Sequence, residues 1–402
     1  MQSINLDDDY TLNAFLDKKK LELSVNTDYL ISLNKTELYS LLDILLPYTI
    51  TLGSPFKTID DFISALLNKH IVFLPDTNIL FRAEEIMLGK IITNDGNELE
   101  TYKILMIYFL LSMFFNLGSL YMPALLEIID SEENFINDPN LLIQTAYEKL
   151  YYTRYLIECS DYNSLKEFVL GKVNSVATNQ VFILNKTVIV ENIKKQCSAL
   201  ALESFFHGHN QLENRIFQRS VAYCYMCKAY IYNKKQIAKI DKISAMIDWI
   251  KNDFVYDPIS LTFSIMLFTN KISFPKKRNK DVLKLLDNQA RDILYIRDFL
   301  DVNREIRDKN TLFLSLDKKL LKLFSSCFFY YDESDILKVC LSTEVFSGCK
   351  IGKKNIMSYI DTLEALSKRK YPTSVIKRLD TIKIELEVDI KNYESTTKGD
   401  LV

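Results

Sequence analysis

Apolar residues recur along this chain in two patterns, one typical of buried strands and one typical of helices. Short uninterrupted apolar runs predict strands, and apolar residues spaced three and four apart predict helices. No strand is predicted before residue 71. The predicted strands are 71–76, 119–123, 311–316 and 327–331. The predicted helices are 30–46, 59–67, 78–88, 101–116, 141–158, 193–206, 211–231, 257–268, 281–308, 318–324, 353–367 and 373–393, with a β-hairpin over 181–184 and 187–190 as a further possibility.

The alternation of strands and helices predicts a fold class. Strands separated by helices form mainly parallel sheets with right-handed crossovers. We therefore expect an α/β fold, in which a parallel sheet flanked by helices is interrupted by a large helical insertion and extended by helices at both ends. The predicted regions are an N-terminal helical region (1–68), the first half of the core (69–130), the insertion (131–253), the second half of the core (254–340) and C-terminal helices (341–402).

One apolar segment has the length of a membrane span. Residues 104–126 contain no charged side chain, and an uncharged stretch of this length meets the criterion for a transmembrane helix. Residues 116–119 (Asn-Leu-Gly-Ser) interrupt the stretch with turn-forming residues, and Pro123 ends its second half. The segment is therefore predicted to be a buried helix, a tight turn and a buried strand, without contact with a membrane.

Composition sets limits on partners and compartment. Fifty Lys and Arg against 52 Asp and Glu give a net charge of −2, so no overall basic field attracts nucleic acid, and any such contact must be local. Nine glycines and eight prolines are few for a turn-rich all-β fold. Seven cysteines without a disulfide framework, behind an acidic and polar N-terminus, predict a cytoplasmic protein with free thiols.

Four apolar runs end on an acidic residue. In open α/β sheets ligands bind beyond the carboxyl ends of strands, so an acid placed there faces the binding crevice. Several such acids repel one another unless cations hold them together, which favours a divalent-metal site. An acid after a strand is also a common helix N-cap, so each residue alone has a structural alternative. The four acids are Asp76, Glu127, Asp257 and Asp317.

The sequence around these acids resembles a known nuclease family. Residues 73–80 (Phe-Leu-Pro-Asp-Thr-Asn-Ile-Leu) resemble the opening strand of PIN-domain nucleases, which ends on Asp and a small hydroxyl residue. Residues 121–127 look like the second strand and the helix that carries a Glu in that family. Residues 257–261 are similar to its third acidic position, and 314–321 resemble its fourth strand with a hydroxyl residue, Asp and a helix. The four motifs follow one another in the family's order.

This resemblance implies a PIN-like sheet and hydrolysis of phosphodiester bonds dependent on Mg²⁺ or Mn²⁺, most often in single-stranded RNA. Asp76, Glu127, Asp257 and Asp317 would be the metal ligands and catalytic residues. Hard divalent cations prefer carboxylate oxygens, and one or two such ions can activate a water and neutralise charge in the transition state. Asp130 lies one turn beyond Glu127 and could replace it.

Neighbouring side chains are predicted to support these acids. Hydroxyl and amide groups next to the acids would orient the metal ligands. Cations close to the same motifs would contact phosphates of the substrate. The orienting residues are Thr77, Asn78 and Ser315, and the substrate-binding residues are Arg82, Lys318 and Lys319.

Two further groups carry alternative interpretations. His207 and His209 with Cys224 and Cys227 could bind zinc, but both cysteines lie in an apolar helical stretch where they are also ordinary core residues. The two histidines could instead lie in a surface turn that contacts RNA. The basic run 276–280 is best explained as a solvated loop.

Two functional hypotheses follow. No Walker loop, dinucleotide glycine pattern, kinase signature or nucleophile elbow is present, which gives no support to cofactor-dependent redox or phosphoryl-transfer chemistry. The first hypothesis is a cytoplasmic metal-dependent ribonuclease whose helical insertion selects the RNA substrate or a protein partner. The second is a non-catalytic PIN-like or helical α/β protein that acts by binding a partner.

Overall fold

The structure of the protein is a computed structural model that divides the chain into two compact units. The first unit contains Met1–Phe205 and Glu305–Leu316, and the second contains Phe206–Arg304 and Asp317–Val402. The structure describes residues 34–51, 58–68, 71–77, 81–82, 99–114, 118–119, 144–145, 148–151, 162–173, 187–188, 190–192, 194–195, 209–273, 281–305, 310–315, 317–331, 337–346, 355, 358, 361–362, 365 and 373–399.

A four-stranded sheet forms the centre of the first unit. Its strands are β1 (Thr49–Thr51), β2 (Ile71–Pro75), β3 (Gly118–Ser119) and β4 (Asn310–Leu314), in the order β1-β4-β2-β3. β2 runs parallel to both β3 and β4, whereas β1 is antiparallel to β4. The predicted interior position of β2 is confirmed, since it has a hydrogen-bonded strand on each side. An α/β fold with helical additions is the architecture of the described residues.

The helices of the first unit cover this sheet with apolar side chains. They are α1 (Lys35–Leu45), α2 (Ile59–Leu67), α3 (Leu99–Phe114) and α4 (Tyr162–Val169). Every residue of β2 is buried, as expected for a strand inside a partly parallel sheet. Phe73 of that strand meets the ring of Tyr108 on α3 edge to face, with 5.3 Å between the ring centroids. Residues 104–111 of α3 are all buried, so the first half of the long apolar run is a core helix.

Local capping explains where the first two helices begin. Asn34 and Glu37 form a capping box, in which each side chain accepts a hydrogen bond from the backbone of the other. Thr58 and Asp61 form a second one at the start of α2. Each such cap satisfies backbone N–H groups that have no partner inside the helix. The predicted helix 59–67 therefore matches α2, and the predicted helix 30–46 matches α1 over Lys35–Leu45, with 30–33 outside the described residues.

The second unit is mainly helical. Its helices are α5 (His209–Lys234), α6 (Lys239–Asp253), α7 (Pro258–Phe268), α8 (Val282–Glu305), α9 (Lys318–Ser326) and α10 (Thr373–Gly399). All 11 residues of α7 are buried, which places this helix in the core of the unit. The hydroxyl of Tyr223 on α5 donates to Glu387 on α10 at 3.1 Å, and Tyr230 donates to Glu394 seven residues further along both helices. These two contacts place α5 and α10 side by side in parallel.

Three sequence predictions about strands are wrong. The strand 327–331 exists as β5 (Cys327–Tyr331), but it pairs antiparallel with β6 (Leu337–Leu341) and not with the parallel sheet. A short connection favours hairpin pairing with the next strand over a long crossover. Strand β1 was not predicted, because a strand of three residues is too short to show the alternation of apolar and polar residues that indicates a strand. Residues 187, 188 and 190, possible members of a hairpin, are helical.

Several predicted features lie outside the described residues. They include 78–80, 120–143 and 274–280, and with them Asn78, Glu127, Asp130 and the basic run. Within the described ranges, none of the helices combines the length and apolar character needed to cross a bilayer.

Candidate active site

Asp76 lies at the carboxyl end of β2. Its backbone N–H donates to the carbonyl of Leu314 at 2.9 Å, which extends the pairing with β4 by one residue. The residue is only 2% exposed, and Thr77 behind it is 5% exposed and helical. A carboxylate at this depth requires hydrogen bonds or a cation to offset its lost hydration. The strand-to-helix junction therefore holds a buried acid at the edge of the sheet.

Ser315 meets Asp76 across the two parallel strands. Its hydroxyl donates to Oδ2 of Asp76 at 2.6 Å, although the two residues lie 239 positions apart. Ser315 is fully buried, and its N–H donates to the carbonyl of Tyr48 at 3.1 Å. Hydrogen bonds from a hydroxyl to a carboxylate are short and strong. The first and fourth predicted motifs therefore meet at one edge of the sheet, and one serine orients the acid.

Arg82 and Lys149 are among the cations that lie on aromatic rings in the described part of this unit. The Arg82 guanidinium lies 5.6 Å from the ring centroid of Tyr102, and Nζ of Lys149 lies 4.1 Å from that of Phe81. Phe81 is 38% exposed. Sequence reasoning selected Arg82 but not Lys149 or Phe81, because a lysine in a helix rich in tyrosine and lysine has no distinctive spacing. Arg82 stays a predicted phosphate contact.

Asp257 does not follow a strand, contrary to the interpretation of its apolar run. Residues 254–256 form an extended connection between α6 and α7, with no strand pairing. They are apolar because they pack inside the second unit, where Phe254 stacks on Trp249 with 4.3 Å between the ring centroids. The hydroxyl of Tyr225 donates to the carbonyl of Val255 at 2.8 Å and accepts from the N–H of Asp257 at 2.9 Å. A buried connection between helices therefore resembled a strand in sequence.

The carboxylate of Asp257 has two partners in the second unit. Arg297 of α8 donates to Oδ1, and the hydroxyl of Ser260 in the first turn of α7 donates to Oδ2. Asp257 is 3% exposed. A buried carboxylate held by a guanidinium and a hydroxyl fixes the start of one helix against another. Sequence reasoning missed Arg297, since one arginine in a charged helix gives no sign of its distant partner.

Asp317 caps helix α9. Its Oδ1 accepts from the N–H of Lys319 at 2.7 Å, which is the hydrogen bond expected of an N-cap aspartate. Lys318 and Lys319 form the first turn of this helix. Asp317 is therefore a helix N-cap, which is one of the two roles expected for an acid after a strand. Metal binding by Asp317 and phosphate contacts by Lys318 and Lys319 stay predictions.

Some of the predicted site residues lie together in one unit, and others belong to the second unit. Asp76, Thr77 and Ser315 belong to the first unit, whereas Asp257 and Asp317 belong to the second. Glu127 lies outside the described residues. Among the residues that are described, no group of three or more His, Cys, Asp or Glu side chains is arranged to hold a metal ion. Convergence of all four carboxylates stays a prediction.

Cys224 and Cys227 have the environment of core residues. Both lie in α5 and are fully buried. Burial raises the pKa of the Cys224 thiol to about 12, and it also raises the pKa of Cys227. The cause of both shifts is burial in the apolar interior of the helical unit, which is the environment of packing cysteines. His209 begins the same helix, and His207 lies outside the described residues. These observations favour the packing interpretation of the cysteines.

Comparisons of this chain with protein-family models, with curated proteins and with solved structures found no match.

Proposed function

We propose that this protein is a metal-dependent nuclease acting on single-stranded RNA, with a PIN-like sheet and Asp76 at the centre of its site. The observation that carries the proposal is the 2.6 Å hydrogen bond from Ser315 to Asp76 at the carboxyl ends of β2 and β4. Ligands of open α/β sheets bind at this edge. A serine that donates to a buried acid leaves the carboxylate in one orientation, as a metal ligand requires.

The chemistry of this edge suits a hard cation. Asp76 supplies a carboxylate, the ligand type that Mg²⁺ and Mn²⁺ prefer, and the hydroxyls of Ser315 and Thr77 would orient that carboxylate or a metal-bound water. When bound, such an ion supplies Lewis acidity and neutralises charge on the phosphate. In this proposal Ser315 orients the carboxylate, while Arg82 holds a neighbouring phosphate of the strand. The family resemblance implies Glu127, Asp257 and Asp317 as further ligands, but Asp257 and Asp317 each have a structural role within the second unit, so the proposal rests on Asp76.

The contacts of two acids support the second hypothesis, a protein that acts by binding a partner. Asp257 is held by Arg297 and Ser260, and Asp317 caps α9. Both sets of contacts are complete structural roles that need no metal. A chain in which all predicted acids had such roles would use its helical region to bind a partner and would not cleave RNA.

RNA cleavage distinguishes the two hypotheses. End-labelled single-stranded RNA is incubated with the full chain and Mn²⁺, and Asp76→Asn is compared with wild type and with Asp43→Asn. Asp43 is an exposed acid on α1 and serves as the matched control. We expect cleavage by wild type and by the control, and a loss of at least about 100-fold in Asp76→Asn, the scale of removing a group that stabilises the transition state. Equal cleavage by all three proteins, or none by wild type, would contradict the proposal.

A further inference from the structure

An exposed aromatic ring lies close in sequence to the candidate active site of the first unit. Phe81 is 38% exposed, whereas the rings of Phe73, Tyr102 and Tyr108 in the same unit are at most 3% exposed. Single apolar side chains are common on protein surfaces, so the neighbours of such a ring decide whether it has a role. The neighbours of Phe81 are a buried acid and two cations.

The position of Phe81 in the chain keeps it near the acid. Phe81 follows Asp76 by five residues, and Thr77, Phe81 and Arg82 are all helical. Five residues span at most about 17 Å between their Cα atoms, even when fully extended. A site for single-stranded nucleic acid covers roughly four nucleotides or more. An RNA strand with a phosphate at Asp76 can therefore place a neighbouring base on the Phe81 ring.

The cations beside this ring suit an anionic strand. Nζ of Lys149 lies 4.1 Å from the ring centroid of Phe81, so an ammonium group covers one face of the ring. Arg82 is the next residue, and its guanidinium lies 5.6 Å from the ring centroid of Tyr102. Aromatic rings combined with cations are the means by which proteins bind the bases and phosphates of single strands. These charges favour nucleic acid over an apolar protein segment as the occupant.

We propose that Phe81 stacks on an unpaired base of the RNA substrate, next to the phosphate at Asp76, and that Lys149 contacts an adjoining phosphate. The inference rests on the proposed nuclease function and adds a determinant of its preference for single strands. In a duplex each base is paired and stacked between its neighbours, so only an unpaired base can lie on the ring. Every base has a π-face, so the contact tolerates different sequences.

Binding measured without cleavage tests this contact separately from the chemistry. Fluorescently labelled single-stranded RNA of mixed sequence is titrated with the full chain in EDTA, and its anisotropy is recorded. Phe81→Ala should weaken the affinity at least about fivefold, the lower end of the effect of removing one aromatic ring from a stacked base. Phe81→Trp should retain the affinity, because an indole also stacks. Affinity for double-stranded RNA should be the same in wild type and Phe81→Ala.

Two further variants make the test specific. Phe328→Ala is the matched control, since Phe328 is an exposed phenylalanine (46%) in the second unit, and it should bind RNA as wild type does. Lys149→Gln should reduce the slope of log affinity against log salt concentration by about 1, as expected for one lost phosphate contact. Thermal melts followed by circular dichroism verify that each variant is folded.

Three results would overturn the assignment. They are wild-type affinity in Phe81→Ala, equal losses in Phe81→Ala and Phe328→Ala, and no binding of single-stranded RNA by wild type. Asp76→Asn should bind RNA in EDTA at least as tightly as wild type, while its cleavage with Mn²⁺ is lost. Failure of the nuclease proposal is therefore detected by cleavage, and failure of the Phe81 contact by binding.

Discussion

The contact between Asp257 and Arg297 gives a prediction that separates a structural acid from a metal ligand. In the proposed structural role, Asp257→Asn removes the buried negative charge that faces the guanidinium of Arg297. The two side chains are 4% and 18% exposed, so solvent screens this pair little. Removing one partner of a buried pair costs about 3–5 kcal/mol, and we expect the lower end because Asn keeps a hydrogen-bond acceptor. A loss of about 3 kcal/mol lowers the melting temperature of a unit of this size by about 6–12 °C.

Urea unfolding followed by Trp249 emission measures this change in the second unit, which contains the only tryptophan. Asp248→Asn, an exposed position on α6, is the control and should stay within about 0.5 kcal/mol of wild type. A double-mutant cycle with Arg297→Met isolates the pair, since coupling energies appear only for residues in contact.

The opposite result would refute this reasoning. If Asp257 lay among repelling carboxylates, its neutralisation would leave the metal-free protein as stable as wild type or more stable. The free energy of unfolding of Asp257→Asn would then be unchanged or raised, and the coupling energy between Asp257 and Arg297 would be near zero. That result would favour a role for Asp257 as a metal ligand.

Further predictions concern the sheet edge, the cap of α9 and the thiols. Ser315→Ala should lower the free energy of unfolding of the first unit by about 1.5–3 kcal/mol, as measured by denaturation followed by circular dichroism, because it removes a buried hydrogen bond to the carboxylate of Asp76. Mn²⁺ should raise the melting temperature of wild type and not of Asp76→Asn, since a ligand that binds only the folded state stabilises it; equal shifts would place the ion elsewhere. Asp317→Ala should cost about 0.5–2 kcal/mol and Asp317→Asn almost nothing, as at other N-caps, in thermal melts without metal. Cys224 keeps its proton when folded because its pKa is raised to about 12, whereas the unfolded thiol ionises near its ordinary value of 9.0. The folded state therefore binds the proton of this thiol more tightly than the unfolded state does. The contribution of Cys224 to the free energy of unfolding should fall as pH rises above about 8.5, because only the unfolded thiol then ionises. Over this range a thiol reagent should modify the exposed Cys340 before unfolding and Cys224 only after it.

Local features of the chain were predictable because their causes are local. The capping box of Asn34 and Glu37 determines where α1 begins. The spacing of apolar residues over 59–67 determines the length of α2. The run 71–75 identified an interior strand, since a strand covered on both faces is apolar throughout. The position of Asp76 at the end of that strand followed from the same run.

The proximity of Ser315 to Asp76 could be predicted from the fold class and not from local sequence. No periodicity links residues 239 positions apart, but two apolar runs that each end near a polar oxygen are expected at the same edge of a parallel sheet. The sequence thus predicted that both residues lie at the same edge of the sheet, and the tertiary structure showed the hydrogen bond between them.

Only the tertiary structure decided how Asp257 and Asp317 are used. An aspartate after an apolar run has the same local sequence whether it faces a cation, a guanidinium or a helix N–H. Arg297 lies 40 residues beyond Asp257, and its guanidinium reaches that carboxylate only because the fold brings this part of α8 close to the start of α7. Sequence determines what a side chain can bind, and packing determines what it does bind, because hydrogen bonds and ion pairs act over a few ångströms whatever the separation along the chain.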